Sequence, residues 1–229
     1  MQFTLVVATR ATQEAFLTDT ALGRCLQKQQ PHGVELRLFA ENTAGLPEIY
    51  NSVIEEHIGQ SRIMVFLHDD IHLLDFYWTH RLQAGLQAFD VVGLAGNVRR
   101  VPRQPGWAFV RDADGKRRWD DPENLSGVVA HGKHFPPDIW SVFGSPRKKV
   151  LLLDGLLLAV HSETLARSGL RFDPRFRFHF YDMDFCRRAE QLALSCGTWD
   201  LSVMHESGGN FASADWQAAY ESYLLKWGE

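Results

Sequence analysis

The sequence predicts an α/β domain, a mostly parallel sheet flanked by helices and carrying an irregular insertion. Short apolar, β-branched runs alternate with stretches of helical period, and each run ends abruptly in polar residues. A segment rich in Pro, Gly and Trp then interrupts the alternation. With 229 residues the chain sits at the top of the range for one domain, so a single core with one elaborated region is expected. Its composition, 45% hydrophobic and 23% charged, excludes whole-chain disorder, collagen-like repeats and coiled coil.

The elements follow in order. Phe3 to Ala8 (FTLVVA) reads as a buried parallel strand opening onto polar Thr9 and Arg10. Leu17 to Gln30 reads as a helix. Val34 to Ala40 alternates apolar and polar before Glu41 and Asn42, a second strand with a polar C-terminal end. Pro47 opens a helix at its favoured first-turn position, with Leu46, Ile49, Tyr50, Val53 and Ile54 on one face. Ile63 to Leu67 (IMVFL) has the continuous apolar character of a central strand and runs into His68, Asp69 and Asp70. A helix over about Trp78 to Phe89 and a strand over Val91 to Leu94 close this half.

From Asn97 to Lys149 prolines, glycines and Trp107, Trp119 and Trp140 replace any regular period, which reads as an irregular insertion, functional or mobile. Regular structure resumes with a strand over Val150 to Val160 and a helix Ser162 to Ser168 ended by Gly169. A helix over about Met183 to Cys196, capped by Gly197, follows. Trp199, Leu201 and Val203 alternate as a last strand reaching His205. Trp216, Tyr220, Tyr223, Leu224 and Trp227 share one face of a C-terminal helix, fit for core packing, a homodimer contact or a membrane-interface face.

Lys plus Arg number 24 against 28 Asp plus Glu, so no basic excess points to nucleic acid. Cys25, Cys186 and Cys196 form no C-x-x-C pair, and residues 1–8 lack a signal-peptide layout. The apolar run 150–160 is shorter than the roughly 20 residues of a spanning helix. A cytoplasmic protein is expected, peripheral to the inner membrane face at most.

In open α/β sheets ligands bind outside the carboxyl ends of the strands, and the chemistry-bearing residues gather there. His68, Asp69 and Asp70 can hold a divalent cation with positions left for phosphate oxygens, or can form a turn with capping aspartates. Asp182 and Asp184 begin a helix two residues apart and so face different sides; one can face a cleft while the other caps or pairs with Arg187 or Arg188. The helix N-terminus favours ionised Asp182, and burial opposes it. His205, Glu206, Ser207, Gly208 and Gly209 follow the last strand, where His205 can complete a metal site and the glycines admit a ligand close to the backbone. Arg99, Arg100 and Arg103, with Arg147, Lys148 and Lys149, are a solvated face or a phosphate contact.

The stretches ENTAGLPEIYNSVIEE, MVFLHDDI, VVGLAG, LLLDGLLLAVHSETLARSGLRFDPRFRFHFYDMDFCRRAEQ and VMHESGG together resemble the family 2-like glycosyltransferases of GT-A fold, in particular a short bacterial branch with HDD in place of DXD. The resemblance covers most of the chain outside the insertion. It implies one GT-A (Rossmann-like) domain, with a nucleotide-binding half over about 1–98, an insertion over about 99–149 and an acceptor and catalytic half over about 150–229. It places the donor nucleotide at Thr9, Arg10, Glu41, Asn42 and Asp69, with Asn51 supporting that loop. His68 and Asp70 fall on the acidic positions of DXD, which makes them, with His205, the implied ligands of Mn or Mg. Asp182 falls on the base of the family's Glu-Asp pair, with Tyr181 where the family has Glu and Asp184 beside it as the second catalytic carboxylate. Asp154 and Gly155 match the acceptor side.

The activity so implied is inverting, metal-dependent transfer of a sugar from a nucleotide-diphosphate donor of UDP type to a glycan, lipid-linked or protein acceptor. Bacterial polysaccharide biosynthesis is the setting the resemblance suggests. Two other classes stay open on the residues: a nucleotide-sugar-binding protein without turnover, and a metal-dependent phosphohydrolase or nucleotidyltransferase.

Overall fold

A computed structural model describes residues 1–29, 32–208 and 213–229. The elements are β1 (Gln2–Ala8), α1 (Gln13–Asp19), α2 (Ala21–Lys28), β2 (Val34–Phe39), α3 (Leu46–Glu56), β3 (Arg62–Leu67), β4 (Ile71–Leu73), α4 (Trp78–Ala88), β5 (Val91–Gly93) and β6 (Ala95–Asn97). After them come β7 (Phe109–Arg111), β8 (Arg117–Trp119), β9 (Leu125–His131), β10 (Ile139–Gly144), β11 (Lys149–Val150), β12 (Leu152–Leu153) and β13 (Leu157–His161). The chain closes with α5 (Ser162–Ser168), α6 (Tyr181–Gln191), β14 (Cys196–Thr198), β15 (Val203–His205) and α7 (Ala214–Trp227).

The main sheet has seven strands in the order β11-β14-β5-β13-β3-β1-β2. Strand β1 is parallel to β2 and β3, and β14 to β5, as strands joined through helices should be. Strand β13 runs antiparallel to both β3 and β5, and β11 antiparallel to β14, so the sheet is mixed. Because side chains alternate, the sheet feeds two cores. Val6, Met64, Phe66, Leu158 and Val160 meet α3, α5, α6 and α7 on one face. Leu5, Val7, Val65, Leu67 and Leu157 meet α1, α2, α4 and the second sheet on the other.

That second sheet, β12-β6-β9-β15-β4 with β10 on β9, corrects the expectation of an irregular insertion over 97–149. Strands β4, β6, β12 and β15 have only two or three residues each, and in β9 Gly127 breaks the pattern at φ 107°, where a Cβ would lie 2.1 Å from the Leu94 carbonyl oxygen. Neither feature gives a periodic signal.

Four other expectations change. The helix expected over Leu17 to Gln30 is two, because Thr20 ends α1 and caps α2: its Oγ1 donates to Phe16 O (2.7 Å) and accepts from Gly23 N (3.1 Å); Gln30 lies outside the described residues. The run 150–160 is β11, β12 and β13, broken at Asp154–Gly155, since an apolar run does not reveal a bend between two buried sheets. Helix α6 stops at Gln191, with Ala193 left-handed at φ 58°; Gly197 is a strand residue packed on Phe89, not a cap. The last strand is Val203–His205 alone, Cys196–Thr198 having joined the main sheet.

Helix α7 packs inward: Trp216, Tyr220, Tyr223 and Leu224 are buried, three of them against Phe180. Among the described residues no helix is long and apolar enough to cross a membrane.

A candidate metal and carboxylate site at the sheet edge

Parallel β1, β2 and β3 end at one edge, so Thr9, Glu41 and His68 emerge side by side, and antiparallel β13 starts there, bringing Asp154 and Gly155 to the same place. Backbone bonds fix the junctions: Thr9 N to Phe39 O (2.9 Å), Asn42 N to Thr9 O (2.8 Å), Glu41 N to Ala11 O (2.9 Å) and His68 N to Leu156 O (3.2 Å). Arg10 and Glu41 are exposed, and Glu41 is held left-handed at φ 50°, a strained conformation of the kind that gathers at ligand sites. The Thr9 hydroxyl donates to Asp69 Oδ2 (2.5 Å), tying β1 to the turn after β3.

In the second sheet His205 pairs with Ile71, the residue after Asp70, so β15 and β4 bring residues 135 positions apart into contact: His205 Nε2 donates to Asp70 Oδ2 at 3.1 Å. One ligand atom from each of His68, Asp70 and His205 lies within 4.8 Å of the others. Burial pushes Asp70 up, but the hydrogen bond and positive charge of His205 outweigh it and hold the carboxyl at about 2. Its Oδ1 is buried with no hydrogen-bond partner among the described residues. Such an orphaned anionic oxygen beside two imidazoles is the environment a divalent cation satisfies.

Tyr181 links this cluster to the first turn of α6. Its hydroxyl donates to Gly155 O (2.7 Å), so its oxygen accepts from His68 Nε2 (3.1 Å). That contact fixes the His68 tautomer and leaves Nδ1 as the lone-pair nitrogen, 4.0 Å from Asp70 Oδ1. Burial holds the His68 ring in its neutral form.

The next residue, Asp182, accepts from Gly155 N (2.9 Å) through Oδ2 and from Met183 N (2.8 Å) through Oδ1. The close fit requires a glycine: a Cβ on residue 155 would stand 2.4 Å from the Tyr181 hydroxyl and 3.0 Å from Asp182 Cβ. Burial, and then the charge of Asp154, push Asp182 up to about 7, so burial prevails over the helix terminus.

Asp184 is not brought to this edge. It is fully buried on the other side of α6, bonded to Lys226 Nζ (2.6 Å) and Trp227 Nε1 (3.0 Å), rather than to Arg187 or Arg188. Asn51 likewise serves another segment: its side chain donates to Phe172 O (2.8 Å) and accepts from Phe172 N (3.0 Å), away from the Glu41–Asn42 loop. Of the two glycines after His205, Gly208 is exposed and Gly209 lies outside the described residues. Arg100 and Arg147 pair with the exposed Glu190 and Asp200, as a solvated face would, whereas Arg99 caps the buried carboxylate of Asp120, a structural contact.

Two further residues border the cluster. His131 ends β9 in register with His205, ring centroids 5.6 Å apart, with a buried Nδ1 that has no hydrogen-bond partner among the described residues. The ring of Phe178 stacks on His68 at 5.9 Å and 21°. The apolar run Val128–Ala130 ending in His131 is the same strand-end signal that His68 gives after β3, shortened here by Gly127.

The sequence matches no protein-family model and no curated protein. Among solved structures it is similar to GalNAc-T7 with UDP, GalNAc and Mn2+, with TM-score 0.56 and 13% identity over 98% of this chain and 48% of that one. The chain thus spans about half the length of that protein. It is also similar to A197 from STIV, with TM-score 0.46 and 10% identity over 90% of this chain and 86% of that one. With its large mixed sheet flanked by helices and its likeness to GalNAc-T7 across nearly all of its length, this chain has a GT-A-like fold.

Proposed function

We propose that this chain is a glycosyltransferase that moves a sugar from a UDP-type nucleotide-diphosphate donor to an acceptor hydroxyl, with inversion and with a divalent metal. One observation carries the reading: an unbroken set of hydrogen bonds runs from His68 through Tyr181 and Gly155 to Asp182, joining metal-competent side chains to a carboxylate held near neutrality. A GalNAc-T7 structure holding UDP and Mn2+ on a similar fold supports it.

In this reading His68, Asp70 and His205 hold the ion, and two imidazoles with one carboxylate favour Mn over Mg. When bound, a divalent cation neutralises the charge that builds on the leaving diphosphate. Thr9, Arg10, Glu41, Asn42 and Asp69 line the donor side, and Asp154 and Gly155 the acceptor side, dividing the chain into a donor half over about 1–98 and an acceptor half over about 150–229. Asp182 removes the proton from the attacking hydroxyl, a contribution worth about 10²–10⁴-fold. Its raised affinity for protons suits that role near pH 7. Asp184, sealed behind α6 by Lys226, holds the helix in place.

The test is product analysis with UDP-sugars and Mn. Release of UDP with transfer, abolished in Asp182→Asn while UDP binding persists, is the expected result. Phosphate or pyrophosphate as product would mark a hydrolase or nucleotidyltransferase instead. Tight UDP-sugar binding without any product would mark a binding protein.

A further inference from the structure

The segment Phe176–Phe180 places three aromatic rings on one short stretch. Phe176 and Phe180 are buried, while Phe178 between them is 52% exposed. This exposure is built into the backbone. Leu46 N donates to Arg177 O (2.8 Å), and Arg177 Nη2 donates to Thr43 O (2.7 Å). Gly45 packs so closely that a Cβ would lie 3.1 Å from Arg177 Cα. On the other side Phe180 turns the chain into α6 in a left-handed conformation at φ 65°. Residue 178 is therefore clamped between the loop before α3 and the helix that carries Asp182.

The exposed ring lies nearly parallel to His68 and also meets its neighbour His179 edge-on at 5.1 Å. It thus borders the metal-competent cluster and, in sequence, leads through His179 and Phe180 into the turn that carries Tyr181 and Asp182. An aromatic face is an apolar surface with a negative quadrupole. It attracts the positively polarised C–H groups of a sugar ring, whereas the hydroxyls of that ring need polar partners, and His68, His179 and Asp182 lie close along the chain or in space.

We infer that Phe178 is a platform for a pyranose ring, a role that rests on the glycosyltransferase reading above. The ring it carries is either the transferred sugar of the donor or a sugar unit of the acceptor, and both present the same C–H face.

The experiment compares Phe178→Ala and Phe178→Trp with the parent protein in three measurements. Calorimetric binding of UDP with Mn should be unchanged, since UDP has no pyranose. The KM for UDP-glucose and UDP-N-acetylgalactosamine in donor hydrolysis, and saturation-transfer NMR signals from the sugar protons of these donors and of methyl glycosides, should respond. A rise in KM of about threefold to tenfold in Phe178→Ala, reversed in Phe178→Trp, is expected for the ligand that stacks. A change confined to the UDP-sugars assigns the ring to the donor. A change confined to the methyl glycosides assigns it to the acceptor. Sugar signals and KM values that stay the same in Phe178→Ala, in a protein that turns over UDP-sugars, overturn the platform and leave the glycosyltransferase reading intact. A parent protein that binds no UDP-sugar overturns both.

Discussion

His68 Nε2 meets the phenolic oxygen of Tyr181 at 3.1 Å, across 113 residues of sequence. Because the tyrosine proton is committed to Gly155 O, the histidine must donate, and its other nitrogen is left to face Asp70. Tyrosine at this position therefore does something a glutamate would not do in the same way: it orients a neutral imidazole. Tyr181→Phe removes that acceptor and should weaken Mn binding about 10–100-fold, the usual cost of losing the partner behind a metal-binding histidine. Titration of Mn against the parent and variant checks this; equal affinities would show that the contact does not orient His68.

Asp70→Asn tests the cluster more directly. The substitution keeps the shape but removes the charge that His205 pairs with and the anionic oxygen that has no partner among the described residues. Stabilisation of the fold by UDP plus Mn in thermal unfolding should disappear, since a ligand raises Tm only when it binds the native state. The parent should show a smaller rise with Mg than with Mn.

How far these groups were readable in the sequence depends on what each signal reports. Polar residues following apolar runs gave Thr9, His68–Asp70 and His205, because a strand buried on both faces stays apolar until it leaves the core. All of them do stand at strand ends. What was not readable is pairing between distant segments. The second sheet is assembled mostly from strands of two or three residues, and nothing local says that β9 should lie beside β15 and bring His131 next to His205. Asp182 and Asp184 look alike in sequence; only the packing of α7 shows that Lys226 claims one and leaves the other at the edge. The exposure of Phe178 was hidden for the same reason, since its neighbours Phe176 and Phe180 carry the same side chain and are buried.

Transfer should depend on pH through Asp182. Burial and Asp154 hold its carboxyl at about 7, and only the ionised form can accept a proton, so the rate should rise with pH and level off above neutrality. Asp154→Asn removes a nearby negative charge, which makes ionisation of Asp182 easier, and should move the rising limb to lower pH. The pH–rate profiles of the two proteins decide the point, and an unmoved limb would separate Asp154 from the titration.

The same raised affinity for protons has a cost in stability whose sign can be worked out. An aspartate at 3.8 when unfolded and at about 7 when folded binds more protons in the native state over that interval. Stability from this group is therefore present at low pH and is lost as pH rises from about 4 to about 7. Asp182→Asn removes the penalty. Each tenfold change in proton affinity corresponds to about 1.4 kcal/mol, so Asp182→Asn should melt higher than the parent at pH 8. Even 1 kcal/mol of relief raises Tm by about 2–4 °C in a chain of this size. A lower Tm at pH 8 would mean that the bonds from Gly155 and Met183 need the charge more than burial opposes it.

Removing Asp184 should have the opposite effects on stability and turnover. Asp184 is fully buried and shares Lys226 with Asp173, and Trp227 Nε1 donates to its carboxylate. Removing one partner of a buried pair leaves the other without full compensation, so Asp184→Ala should destabilise the fold by about 3 kcal/mol. Asp184→Asn, which keeps an acceptor for Trp227, should cost less. Both variants should retain the parental turnover per folded molecule, because the carboxylate faces α7 and not the sheet edge. Denaturant unfolding gives the stability and active-site-normalised kinetics gives the turnover. A fall in turnover in a variant that unfolds at the parental denaturant concentration would return Asp184 to the catalytic pair that its place in the sequence suggests.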